Sequence, residues 1–356
     1  MAERMFDLPE TRGSFQCKGK INGVAKDKFY TSKATKTGKD FRAVNFGCEY
    51  DDKKSIYMSL NGMPQANVYF SKKNDNGKTE TKKVAWVNRN NFNEEGFRMI
   101  GVSLGLKKTV DANGKEVNDR KTMAPFDACE YIKGNMRDEM STFIRGNIEF
   151  SSYFDKDDNI RRSIKYVPNQ ISLCKEVNFD EYDEDNKPVH DFTQTIVFME
   201  INKEEENGKT TGRFVVSAKI VTYSDIVDTE FIITDAKLAN LFRTKLKPYT
   251  SISVHGRIEV FHKIEESDDD DAWGESNVMN TVAGSTKTEL IITGATPSTI
   301  DKDSYNEKNV SAAVAKIRNA RTAEKNFGNT SKGVAVTVEE EDDWSMADDD
   351  SENAPW

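Results

Sequence analysis

Aromatic rings and cations alternate at short range through the first half of the 356-residue chain. Phe29-Tyr30 lies among Lys26, Lys28, Lys33, Lys36 and Lys39, and Phe41-Arg42 and Phe46 lead on to Tyr50, Lys53, Lys54 and Tyr57. Tyr69-Phe70 precedes Lys72-Lys73, and Lys82-Lys83 precedes Trp86 and Arg89. Farther along, Tyr153-Phe154 and Arg161-Arg162-Lys165-Tyr166 flank the charged stretch Asp155–Asn159. Flat rings stack on unpaired bases while ammonium and guanidinium groups follow phosphates, so this mixture suits a flexible polyanion with exposed aromatic bases. Tyr30, Tyr57, Trp86, Tyr153 and Tyr166 are the candidate stacking rings, since each has cations nearby and a polar edge that tolerates water. Lys33, Lys36, Lys39, Arg42, Lys72, Lys73, Lys82, Lys83, Arg89, Arg161, Arg162 and Lys165 are the candidate phosphate contacts.

The distribution of charge agrees with this reading. The formal net charge is −9, and the last eighteen residues, Glu339–Trp356, hold nine acids and no base. That tail carries the whole net charge, leaving a neutral body, and within the body residues 11–110 hold 20 Lys and Arg against 9 Asp and Glu. A basic front half and an acidic end point to a polyanionic partner for the front. The tail cannot bury enough apolar surface to offset the entropy of ordering, so it is expected to be a disordered, solvated segment. Its acids and terminal indole read as a tethered ligand for a basic, apolar pocket on another protein, with Asp348, Asp349, Asp350, Pro355 and Trp356 as the contacts.

Other chemistries find little support. Cys17, Cys48, Cys129 and Cys174 form no C-x-x-C pair, and His190, His255 and His262 complete no metal-ligand spacing with them. Neither a zinc site nor a disulfide framework is indicated, and a reducing cytoplasm fits. No phosphate-binding G-x-x-x-x-G-K-[ST] loop and no His-Cys nucleophile set occurs. Carboxylates fall mostly in runs, the pattern of solvated surface. The expectation is a protein that is not an enzyme and uses no cofactor or metal. It is expected to carry no signal peptide, and no apolar run is long enough to span a membrane as a helix.

The elements that must position these residues read as strands. Alternating segments bounded by Gly, Asn, Asp and Lys fall near 14–24, 41–50, 55–60, 68–70, 83–87, 141–153, 191–202, 212–224, 227–233, 251–263 and 288–293. Helices are predicted over 126–133, 235–245 and 304–323, the last with Val310, Val314 and Ile317 on one face. Ser141–Phe150 and Ser251–Val260 are an internal repeat, identical at four of ten positions including Gly146 and Gly256, and each copy follows a short helix. Glycine inside a strand marks a bulge or a sharp barrel bend. The repeat predicts two tandem β modules: residues 1–175 as the basic one, 176–189 as a linker, 190–326 as a second with a C-terminal helix, and 327–356 as the tail.

Asp127–Met136, Met140–Tyr153 and Arg161–Leu173, with the acidic tail, resemble single-stranded-DNA-binding proteins of bacteria and their phages. Those proteins place a helix before a strand of the form apolar-x-apolar-x-Gly-x-apolar, then a charged hairpin and a returning strand. The resemblance covers roughly residues 120–175 and the tail well, and 10–100 loosely. It implies the oligonucleotide-binding (OB) fold, a five-stranded Greek-key barrel. The fold class expected is therefore all-β with minor helices, two tandem OB-folds and a disordered acidic tail. Phage-encoded members with two barrels fit the length. The sequence departs from the family in ending on Trp356 instead of phenylalanine, in the spacer Ser351–Ala354 before Pro355, and in a second acidic run at Asp268–Asp271 beside Trp273.

The expected function is that of a sequence-independent single-stranded-DNA-binding protein acting in replication, recombination and repair. It would coat strands in the cytoplasm (the host's, if phage-encoded), recruit proteins through its tail and be compatible with a homo-oligomer. A strand-annealing recombination protein and a protein-interaction scaffold that binds no nucleic acid are the alternatives.

Overall fold

Segments in which β-branched and aromatic residues alternate with polar ones pair into strands over most of the described residues, and the fold is mostly β, with three α-helices among those residues. The structure is a computed structural model that describes residues 4–74, 76–155, 159–180, 183–206, 208–262 and 286–330. Strands β1 (Gly13–Asn22), β2 (Tyr30–Ala34), β3 (Asp40–Asp51) and β4 (Lys54–Gly62) come first. An insertion comes next. Its strands β5 (Asn67–Lys73), β6 (Thr79–Ala85) and β7 (Arg98–Met99) make a small sheet; β8 (Val102–Gly105), the hairpin β9 (Lys108–Val110) and β10 (Glu116–Asn118), and β11 (Lys121–Met123) complete it. Helix α1 (Pro125–Asn135), β12 (Ser141–Phe154) and β13 (Ile160–Leu173) close the first series. The second series is β14 (Val189–Glu206), β15 (Lys209–Val221), β16 (Ile226–Ile233), α2 (Ala236–Lys245), β17 (Thr250–His262), β18 (Thr286–Asp301) and α3 (Glu307–Thr330).

Each series closes a ring of five strands. In the front ring β1 pairs with β3, β3 with β4, β4 with β13, β13 with β12, and β12 returns to β1. In the back ring the order is β14, β15, β16, β18, β17 and again β14. The third and fifth strands pair in parallel in both, through Met58 and Tyr166 in front and Ile232 and Ile291 behind. A helix joins the third strand to the fourth in both. This is the expected Greek-key barrel, built twice.

The repeat read from the sequence marks equivalent strands, β12 and β17. At the same 110-residue offset that separates 141 from 251, Glu139 and Tyr249 both take positive φ, 66° and 68°. At that offset again, Met136 and Leu246 close the two helices through hydrogen bonds to Ile132 and Phe242. A Cβ on Gly146 would overlap the Val167 carbonyl oxygen, and one on Gly256 the Ile291 carbonyl oxygen, each on the fifth strand of its own ring. Replacing Gly256 by alanine is therefore expected to cost about 1–3 kcal/mol in a urea titration, the usual range for overpacking. Gly134→Ala, with nothing within 4 Å of the added methyl, should be neutral or slightly stabilising.

The front core holds Phe15, Ile21, Phe46, Ile56, Met58, Leu104 and Ile144; Phe231, Ile196, Val254 and Ile258 are buried in the back ring. Asp235 caps α2, its carboxylate accepting from the Lys237 and Leu238 amides. Helix α3 buries Val310, Ala313 and Ile317 against Phe6, Leu8, Val197, Val221 and Ile226. Ala313 thus takes the place foreseen for Val314, which is 38% exposed.

The compact units are not consecutive stretches of chain. One contains the described residues of Arg12–Glu149 and Ile164–Gln194; the other contains the described residues of Met1–Thr11, Phe150–Ser163 and Thr195–Trp356. Phe6 and Leu8 join the back unit because their burial partners lie there. The 150–163 hairpin joins it through the hydrogen bond from Ser152 to Asp225. The stretch foreseen as a linker is packed: Val177 is fully buried, and its amide donates to Ser141 Oγ at 3.0 Å. Among the described residues no helix is long and apolar enough to cross a membrane. The four cysteines are free thiols. The tail contacts Asp348, Asp349, Asp350, Pro355 and Trp356, and the acidic run at 268–271, lie outside the described residues.

Candidate nucleic-acid interface

In the front barrel the connection between the first and second strands of the ring forms an arm. Its strand β2 runs antiparallel to β3, with Thr31 opposite Ala43 and Lys33 opposite Phe41. The tip closes through Thr35 N–H to Lys39 O at 2.7 Å and Gly38 N–H to Thr35 O at 2.8 Å. Gly38 takes φ 75°, which glycine adopts without strain. Asn45 Nδ2 donates to Lys28 O at 3.2 Å and ties the arm's base to β3. Lys33, Lys36 and Lys39 stand exposed on this arm, with the Lys33 ammonium 6.0 Å from the Phe41 ring centre. On β4 the outward row is Tyr57, Ser59 and Asn61, opposite Gly47, Asn45 and Ala43. Tyr57 is 49% exposed and offers a ring face to solvent. No acid lies on this outward face between Phe41 and Gly47 of β3, or between Tyr57 and Asn61 of β4.

Four of the foreseen contacts meet instead along α1. Arg89 makes a two-pronged ion pair with Asp127, at 2.6 and 2.9 Å, and covers the Trp86 ring at 4.1 Å. The hydrogen bond to Asp127 raises the Arg89 pKa further. Trp86 meets Phe126 edge-on, and Arg42 lies 4.0 Å over that same Phe126 ring while pairing with Glu130 at 3.7 Å. Tyr30 donates its hydroxyl to Glu130, and Lys133 sits 4.2 Å over its ring. Burial and then that hydrogen bond push the Tyr30 hydroxyl pKa upward. These side chains brace α1 against the arm and the insertion, and Trp86 has one ring face occupied by Arg89.

The four lysines of the insertion sheet divide by strand alternation. Lys72 donates to Glu95 O at 3.2 Å; Lys82 pairs with Glu94 and lies 4.5 Å over Phe97. Both are on the side of Val68 and Phe70, where Val84, Trp86, Phe92, Phe97 and Met99 build a small core. Lys73 and Lys83 are on the opposite, exposed side.

Tyr153, Arg161 and Arg162 belong to the back unit. Tyr153 is 40% exposed, Arg161 pairs with Asp155 at 2.8 Å, and Arg162 lies 3.8 Å from Asp228. Lys165 is half-buried in the front unit. Tyr166 is a correction: it is 6% exposed, faces the barrel core and meets Phe15 edge-on at 5.4 Å. Burial raises its pKa strongly, and it stacks on no ligand. On β13 period two sends Lys165 outward and Tyr166 inward.

Three features were missed. Tyr69 is 45% exposed and Arg98 is exposed. Alternation with buried Val68 and Phe70 is a signal for Tyr69. Arg98 has no comparable signal, because its two-residue strand is too short to show a period. Asp127 and Glu130, three residues apart on α1, were the unseen partners of the cations. Among the described residues no group of three or more His, Cys, Asp or Glu is placed to hold a metal ion.

A family model described as YorF matches residues 78–330 of the chain. No curated protein matches its sequence. Among solved structures, a deletion mutant of the single-stranded DNA binding protein from Thermus aquaticus is similar at 8% identity and a TM-score of 0.37, over 81% of this chain and 94% of that one. The wild-type Thermus aquaticus protein is similar at 10% identity and a TM-score of 0.35, over 80% of this chain and 91% of that one.

Proposed function

This chain belongs to the YorF family, and we propose that it binds single-stranded DNA without reading its sequence, through the arm and the outer strands of the front barrel. The observation that carries this reading is the contrast between equivalent parts of the two barrels. The front connection between first and second strands bears Lys26, Lys28, Lys33, Lys36 and Lys39 against one acid, Asp27; the strand ends that flank the back connection bear Glu204, Glu205 and Glu206 between Lys203 and Lys209. The front third strand presents Tyr57, Ser59 and Asn61, opposite Gly47, Asn45 and Ala43 of the second. Their back counterparts present Glu230 opposite Ser217 and Asp228 opposite Lys219, which it pairs at 2.5 Å. Arg213, too, is held by Glu204 and Glu289. In Greek-key barrels of this order the second and third strands and the first loop contact oligonucleotides. Phosphates are attracted to the front face and repelled from the back one.

The test is a salt titration of oligonucleotide binding with single-stranded and duplex DNA side by side. Tight binding of the single strand, with log K falling about 0.7 per contacted phosphate for each unit of log salt, supports the reading. Equal or tighter duplex binding at every salt concentration overturns it.

The acidic tail is proposed to recruit replication or recombination proteins and, in the absence of DNA, to compete for the cationic face. A chain ending at Gly333 is then expected to bind single strands at least as tightly as the full chain; weaker binding would remove the competition.

A further inference from the structure

The insertion between β4 and α1 carries a surface that the barrel does not need. The small sheet has the order β6, β5, β7. One side packs Val68, Phe70 and Met99 into the local core. The register defines the other side. Tyr69 lies opposite Lys83 on β6, and on its other flank Ile100 donates its amide to the Tyr69 carbonyl at 2.7 Å. The next row is Thr81, Ser71 and Arg98, and the last is Thr79 and Lys73. Tyr69 is 45% and Ile100 58% exposed, and Lys73, Lys83 and Arg98 are all exposed.

We infer that this face is a second contact site for single-stranded nucleic acid, with a base stacked on Tyr69 and phosphates on Lys83, Lys73 and Arg98. The inference rests on the proposed function above and extends its footprint beyond the barrel. Three observations carry it. First, the described residues of the face include three cations and no acid, and none of the three lies within ion-pair distance of a described carboxylate, whereas Lys82 on the reverse side is paired. Second, the exposed ring stands on the central strand with a cation cross-strand from it. Lysine on an edge strand serves to block strand pairing. Tyr69 is on β5, flanked there by Lys83 of β6 on one side and by Ile100 on the other, so the ring stands on no edge; Lys73, at the end of β5, pairs with Thr79 of β6. Third, strand residues two apart are spaced about 6.6 Å along the chain, so Tyr69 and Lys73 are separated by about 13 Å, enough to engage successive nucleotides of an extended strand. The hydroxyls of Thr79, Ser71 and Thr81 lie between the cations and can donate to phosphate oxygens.

The sheet supplies its own control, because neighbouring lysines point to opposite sides. The outward variant Lys73→Ala, Lys83→Ala, Arg98→Ala and the inward variant Lys72→Ala, Lys82→Ala are compared with the parent chain on a thirty-five-nucleotide oligo-dT, with thermal melting to confirm folding. The outward variant is expected to flatten the dependence of log K on log salt by about 2, three contacts at about 0.7 each. Tyr69→Ala is expected to lose about 5- to 150-fold in affinity with the slope unchanged, the range for one base stack. Lys73→Arg, Lys83→Arg should keep the parent slope. If the parent chain binds and the outward and inward variants have the parent slope, the second site is overturned while the barrel reading stands. If the parent chain does not bind oligo-dT at all, both fall together.

Discussion

Reversing Lys33, Lys36 and Lys39 together to glutamate is expected to weaken oligo-dT binding by at least about 50-fold at 0.15 M salt and to flatten the salt slope by about 2. Each contact with a single strand adds about 0.7 to the slope, so between 1 M and 0.15 M salt each is worth roughly fourfold, and three multiply to roughly 50-fold before any repulsion from the new acids. The three side chains are exposed on a hairpin whose closure depends on Thr35, Gly38 and backbone groups, so stability should hold to within about 0.5 kcal/mol per site. The control is Lys203→Glu, Lys209→Glu, on the strand ends that flank the corresponding connection of the back barrel. Glu204, Glu205 and Glu206 already surround that connection, and less than a threefold change is expected. Losses from the two sets in proportion to their charge changes, −6 on the arm and −4 on the control, would show that binding follows net charge alone and would sink the assignment of the arm.

How far this arrangement was legible in the sequence depends on the range of the contacts. Barrel strands and their repetition were readable, because period-two burial is local and because Gly146 and Gly256 solve the same crowding against a fifth strand. The outward position of Tyr57 also follows from alternation, with Ile56 and Met58 buried on either side. Roles that depend on distant partners were not readable. Trp86 and Arg89 look like a ring and a cation ready for a strand, and only the fold brings Asp127 and Phe126 to them. Tyr166 follows a lysine in a cationic stretch, yet its ring fills the space beside Phe15 and Met58. Its buried hydroxyl has no hydrogen-bond partner among the described residues, a cost that local patterning does not anticipate. The division into units was hidden for the same reason. Two residues of the first ten, Phe6 and Leu8, bury against a helix some three hundred positions later.

The same long-range logic makes Asp225→Ala a substitution expected to cost much stability in the back unit. The Asp225 carboxylate is 7% exposed at the residue level and accepts three hydrogen bonds, from Ser152 Oγ at 2.6 Å, Arg321 at 2.6 Å and the Ile226 amide at 2.8 Å. Arg321 also donates to Ser152 Oγ and to the Ser152 carbonyl, so one carboxylate ties the 150–163 hairpin and α3 together. Removing it leaves a guanidinium three-quarters buried without its counter-ion, a change that typically costs about 3–5 kcal/mol. Taking both charges out, as Asp225→Ala with Arg321→Met, should recover more than half of that loss, because the methionine chain can lie along Ile317 and Phe150 without an unpaired charge. Chemical denaturation of the two single variants and the double variant yields the coupling energy directly. A value above about 1.5 kcal/mol is expected. Additive losses would mean that the Asp225 carboxylate acts only through Ser152 and the Ile226 amide, and that α3 is held by Val310, Ala313 and Ile317.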